Sequence, residues 1–187
     1  FTKMNGLGND FMVVEWPADR PLPDAALVRR LADRRLGVGF DQLLIIGAER
    51  PRDGAASYRI FNSDGGEVEQ CGNGVRCLAR YLAPRFGNEL TLVSPAGSVA
   101  ARVVDAETVS VALGVPDFRP QSLPFIAPRE QERYQLDLSG QSIEFGAVSM
   151  GNPHAVLAVD SVDRAPVGIL GPEPQRHRSF SQSVNVG

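Results

Sequence analysis

What most limits the fold of this 187-residue chain is a series of short strand-like runs, closed off again and again by glycine. Phe11–Glu15, Leu43–Gly47, Ser57–Phe61, Glu67–Gln70, Leu90–Ser94, Val99–Val104 and Thr108–Leu113 read as strands. Tyr58-Arg59-Ile60-Phe61 and Thr108-Val109-Ser110-Val111 alternate as half-buried strands do. Ser63-Asp64-Gly65-Gly66 and Pro95-Ala96-Gly97 are turn sequences between such runs, so each predicts a hairpin. Two helices break the series. The first is predicted over Asp24–Leu36, with Leu27, Val28, Leu31 and Ala32 on one stripe, arginines on the rest, Asp24 as cap and Gly37 at the exit. The second starts near Gly72–Gly74 and runs to about Tyr81–Leu82, where Pro84 ends it.

The texture changes over Gly114–Pro128, where Pro116, Pro120, Pro124 and Pro128 recur every four residues. This reads as an extended crossover between domains, giving 1–114 and 115–187. Strands resume at Tyr134–Leu138, Ser142–Phe145, Ala147–Met150 and Ala155–Val159, with Gly168–Arg178 as loop. The second part has no convincing helix and stops inside the strand-like Val184-Asn185-Val186-Gly187. A sheet without a covering helix is a poor independent domain, so the chain is expected to be part of a longer one.

Scarcity excludes whole chemistries. There is one lysine, Lys3, against eighteen arginines, with two histidines (His154, His177) and two cysteines (Cys71, Cys77). A pyridoxal phosphate enzyme needs a Schiff-base lysine, and Lys3 sits at the extreme N-terminus. A zinc site would need nearly every Cys and His, from distant places, so no metal and no cofactor are expected. The net charge is −3, and neither part carries the basic face that nucleic acid or an anionic membrane favours. No apolar run approaches the roughly 20 residues of a membrane helix. No signal peptide is visible, and with two thiols this predicts a reducing cytoplasm.

The chemistry-bearing segment surrounds Cys71. A strand delivers Cys71 to Gly72-Asn73-Gly74, and a helix follows at once. The first N–H groups of a helix have no partner within it, and its dipole favours negative charge there. The same field favours thiolate over thiol. An anion cradle beside an activated sulfur is what removal of an α-proton from an amino acid requires. The alternative is that Cys71 is a small buried hydrophobe, which is the commoner fate of a free cysteine. Cys77 takes that second reading: six residues on, it lies about 240° around the helix. Gly6-Leu7-Gly8-Asn9-Asp10 is a weak dinucleotide loop, with no strand predicted before it and no third glycine at the required spacing. Asn9, Asn62, Asn73, Asn152 and Asn185 sit near glycine, proline or aspartate and suit turns. Together they could also line a site for a polar zwitterion. His154 is structural or tunes a nearby thiol.

Four ordered segments resemble diaminopimelate epimerases: Lys3–Phe11, Gly37–Leu43, Phe61–Gly65 with Gln70–Cys77, and Ser149–His154; Val184–Gly187 fits as well. The resemblance implies an α+β fold of two pseudo-symmetric lobes, each a curved antiparallel sheet around a central helix, with the second lobe incomplete in this chain. It implies a cofactor-independent isomerase that interconverts LL- and meso-diaminopimelate in lysine and peptidoglycan precursor synthesis, as a cytoplasmic homodimer. Two cysteines face opposite sides of the α-carbon. Cys71 matches the first; Gly72 and Asn73 match donors to the reacting carboxylate; Asn9, Gln42, Asn62, Asn152 and Asn185 match substrate contacts; His154 matches a residue that tunes the cysteines. By the family pattern the second cysteine lies past Gly187, so this chain alone is expected to be inactive. The competing readings are a proline or hydroxyproline racemase of the same fold, a Cys71–His154 hydrolase and a non-catalytic amino-acid-binding module.

Overall fold

The computed structural model describes residues 1–47, 55–181 and 184–187. They divide into two compact units, Phe1–Leu113 and Gly114–Gly187.

The first unit holds eight strands: β1 (Thr2–Gly6), β2 (Asn9–Trp16), β3 (Gln42–Gly47), β4 (Ala55–Asn62), β5 (Glu67–Val68), β6 (Glu89–Ser94), β7 (Gly97–Val103) and β8 (Val109–Val111). Two helices interrupt them, α1 (Ala25–Ala32) and α2 (Gly72–Phe86). The strands form one sheet in the order β1-β2-β3-β4-β6-β7-β8, with β5 paired to β4. Laid flat, the first and last strands of that path would stand about 29 Å apart. Yet α2 packs against both β1 and β8, and against strands between them. A helix about 10 Å across can do that only if the sheet curls around it.

The curved sheet is mostly antiparallel, with two parallel pairs. β2 runs parallel to β3, and β4 parallel to β6. The helices are the reason, because α1 crosses between β2 and β3 and α2 between β4 and β6, as parallel neighbours require. They cover opposite faces. Leu44 and Ile46 join Val75, Leu78 and Leu82 of α2 in one core. Leu43 and Ile45 join Val28 and Ala32 of α1 in another. The unbroken Leu43-Leu44-Ile45-Ile46 run therefore reflects a strand buried on both sides.

Local chemistry moved several element boundaries. Asp24 caps α1 through Leu27 N–H (2.7 Å). α1 stops at Ala32, short of Leu36, because the Asp33 carboxylate accepts from Arg35 and Leu36 N–H (2.7 and 2.8 Å). That side chain offers the backbone a turn in place of the helix. α2 passes through Pro84 to Phe86, since a proline in the last turn removes one donor without dissolving the turn. A strand, β1, does precede Gly6-Leu7-Gly8-Asn9-Asp10; it was illegible because its residues lie mostly exposed at the sheet edge. Leu7 and Gly8 both have positive φ (51° and 91°), closing a two-residue hairpin between β1 and β2. A strand rather than a helix follows, so this loop cannot be a dinucleotide cradle.

The second unit has a four-stranded sheet in the order β12-β11-β10-β9, comprising β9 (Tyr134–Leu138), β10 (Gln141–Ser149), β11 (Pro153–Val156) and β12 (Asn185–Val186). Its core gathers Phe125, Tyr134, Phe145 and Phe180, with the rings of Phe125 and Phe180 stacked at 4.8 Å. Here too one pair, β11 with β12, is parallel. No long helix covers this sheet among the described residues. The expected loop at 168–178 contains only two four-residue helical turns, Val167–Leu170 and Pro172–Gln175. No helix among the described residues is long and apolar enough to cross a membrane.

Candidate active site at the start of the second helix

Cys71 is the N-cap of α2. Its backbone is extended (φ −148°, ψ 108°), and its Sγ accepts from Gly74 N–H at 3.4 Å. Cys71 O accepts from Val75 N–H (2.9 Å), which starts the helical ladder. The sulfur thus stands at the positive end of a 15-residue helix. The N–H groups of Gly72 and Asn73 belong to the first turn, where donors have no helical acceptor. Cys71 is only half-buried, so its side chain is not sealed in the core.

Strand register brings the amides to the same end of the sheet. Asn9 begins β2, Gln42 begins the parallel β3, and Asn62 ends the antiparallel β4. Gln42 and Asn62 are direct register partners, and Gln42 Nε2 donates to Asn62 Oδ1 (2.9 Å). The remaining oxygen, Gln42 Oε1, is buried and has no hydrogen-bond partner among the described residues. Asn73 Nδ2 donates to Asn9 Oδ1 (2.9 Å), tying the helix to β2, while Arg76 Nη1 holds Asn73 Oδ1 (2.8 Å). Cys71, Gly72, Asn73, Asn9, Gln42 and Asn62 therefore come together in the first unit.

The other three candidates gather in the second unit. His154 and Asn185 are register partners of β11 and β12. His154 Nε2 lies 3.0 Å from Asn152 Oδ1, and Asn185 Nδ2 donates to Pro153 O (3.1 Å). His177 has a local role, accepting from Ser179 N–H through Nδ1 (3.2 Å).

Cys77 is a core residue, 4% exposed among the α2 and sheet side chains. Burial, with a smaller contribution from nearby Cys71, pushes its thiol up to about 11, so it stays protonated at neutral pH. Among the described residues no group of three or more His, Cys, Asp or Glu is placed to hold a metal ion. The sequence reading left Asp10, Asp41 and Arg34 without a role. The structure joins them beside Asn9 and Gln42, and the available signal was that both aspartates adjoin amides in glycine-rich turns.

This fold is shared with amino-acid epimerases and racemases. A hydroxyproline epimerase from Agrobacterium vitis superposes with a TM-score of 0.55 at 16% identity, over 84% of this chain and 50% of its own. A probable proline racemase from Agrobacterium radiobacter K84 gives 0.55 at 17% identity, over 90% and 52%. Sequence narrows the class. The family model for diaminopimelate epimerase matches residues 1–119. Diaminopimelate epimerases of Xanthomonas campestris pv. campestris and Ectopseudomonas mendocina are 47% and 48% identical over the whole chain. The chain belongs to the diaminopimelate epimerase family, a family of isomerases. It spans 67% and 69% of the length of those two relatives.

Proposed function

We propose that Cys71 is one of the two acid–base groups of a cofactor-independent diaminopimelate epimerase, acting on one face of the substrate α-carbon. The observation that carries this is the Cys71 Sγ at the N-cap of α2, next to the open donors of Gly72 and Asn73. The α-carboxylate docks on those two N–H groups. The Cys71 thiolate takes the α-proton and becomes a thiol, and the electron pair left on the α-carbon spreads into the carboxylate. The helix end stabilises that charge where it develops. An acid on the opposite face returns a proton, which inverts the centre, and the reverse reaction starts with the two protonation states exchanged. By the family pattern that acid is a second cysteine. Cys77 is unsuited to it, being buried in the hydrophobic core.

In this reading Asn9, Gln42 and Asn62 hold the rest of the substrate. Residues 1–114 form the lobe with Cys71. Residues 115–187 belong to the second lobe, where by the family pattern Asn152 and Asn185 match substrate contacts and His154 matches a residue that tunes the cysteines. The enzyme works in the cytoplasm as a homodimer in lysine and peptidoglycan precursor synthesis. A proline-type racemase shares the fold, but family membership rests on 47% identity to diaminopimelate epimerases against 16–17% to that class. Cys71→Ser in the full-length protein tests the assignment, with α-proton exchange of diaminopimelate followed by NMR in D2O. Exchange is expected to disappear; deuterium incorporation at the wild-type rate refutes the role of Cys71.

A further inference from the structure

Two carboxylates stand side by side at this end of the sheet. Asp41 N–H donates to Asp10 O (2.9 Å), and Asp10 N–H donates to Asp41 Oδ2 (2.8 Å). Each adjoins an amide of the site, since Asp10 follows Asn9 and Asp41 precedes Gln42. One guanidinium joins them. Arg34, in the turn after α1, donates from Nη1 to Asp10 Oδ2 (2.6 Å) and from Nη2 to Asp41 Oδ1 (2.7 Å). Asn5 Nδ2 holds the other Asp10 oxygen (3.2 Å). Lys3 is the other nearby cation, 4.0 Å from Asp10 Oδ2, and its donors go to the carbonyls of Val38 and Gly39. The loop is shaped to admit Arg34. Gly39 has φ +72°, and a Cβ there would stand 3.0 Å from Arg34 Cα and 3.2 Å from its Cγ.

From this geometry we propose that Arg34 is a positioning residue that sets the separation of Asn9 and Gln42 by bridging Asp10 and Asp41 at the starts of the parallel strands β2 and β3. The inference rests on the assignment of those two amides to substrate. A planar fork with donors in fixed directions can hold two carboxylates at one spacing; the point charge of a lysine cannot. Without the fork, two like charges face each other with Lys3 beside one of them, and the strand starts relax apart. The side chain of Arg34 is 55% exposed. Exposed ion pairs add little to overall stability, so its effect belongs in the local geometry.

The test is Arg34→Ala in the full-length protein. Small misplacements of binding groups cost up to about 100-fold, so KM for diaminopimelate is expected to rise about 10- to 100-fold. The kcat value should change less, because Arg34 contacts neither Cys71 nor α2, and the melting temperature should stay within a few degrees. Arg34→Lys should keep most of the defect, whereas added methylguanidinium should lower KM toward wild type in Arg34→Ala. The side-chain amide NMR signals of Asn9 and Gln42 should move or broaden in the variant. An unchanged KM overturns the proposal, as does an equal loss in kcat and KM with a collapsed melting temperature, or amide signals that do not move. If the wild-type protein itself fails to exchange the substrate α-proton, the functional reading falls instead. The amide signals then decide the role of Arg34 on their own.

Discussion

Gly74→Ala places a methyl group where α2 packs closely against the sheet. The new Cβ would lie 3.0 Å from Leu44 Cδ2, 3.5 Å from Phe11 Cε1 and 3.6 Å from Cys71 Cβ. Two effects oppose each other. Replacing glycine inside a helix contributes about 1 kcal/mol of stability. Overpacking a filled core costs about 1–3 kcal/mol. Leu44 and Phe11 are both 0% exposed, so neither can swing into solvent to make room. The clash should therefore win, with a net loss of about 1 kcal/mol and a few degrees of melting temperature. The strain falls on the turn that carries Cys71, because Gly74 N–H is the donor to its Sγ. Activity should drop by about tenfold, as for a catalytic group displaced by part of an ångström. Denaturant unfolding of Gly74→Ala, Leu44→Val and the double variant gives the decisive cycle. Leu44→Val alone should cost about 1 kcal/mol, and the pair should be more stable than the sum of the singles by about 0.5 kcal/mol or more. If Gly74→Ala is more stable than wild type, or the two changes simply add, the steric reasoning is wrong.

Two further outcomes concern Cys77 and Asp24. Cys77 titrates about two pH units above its ordinary value of 9.0 in the folded chain, so the native state keeps a proton that the unfolded state releases. Its stabilisation is full below pH 9 and fades as pH rises toward 11, so wild type should lose about 2–3 kcal/mol more than Cys77→Ala over that window, measured by urea unfolding at fixed pH values; parallel losses refute it. Asp24→Ala removes the N-cap bond to Leu27 N–H and should cost about 1 kcal/mol; an unchanged unfolding midpoint would show that α1 is held by packing alone.

Much of the geometry around Cys71 could be read from the sequence because its parts are local. Cys71 followed by Gly72-Asn73-Gly74 specifies a strand, a turn and a helix start within a few residues, and the N-cap geometry follows from that order. Asp24 likewise names its own helix start. Misreadings arose where a side chain acts on backbone a few residues away or a strand lies at an exposed edge. The Asp33 carboxylate ended α1 early, and β1 carried no apolar alternation to announce it.

The order of the buried strands and the two helices of the first unit, and the chemistry available to a chain with one lysine and two cysteines, were legible in the sequence. Which strands are neighbours was not. The parallel pairs β2–β3 and β4–β6 depend on where α1 and α2 pack, a choice made by apolar faces meeting across many residues. That choice sets Asn9 and Gln42 at one end of adjacent strands and brings Arg34, in the turn after α1, to Asp10 and Asp41. Contacts between groups 24 and 7 residues apart leave no mark on local propensity; they exist only once α1 has crossed from β2 to its parallel neighbour β3.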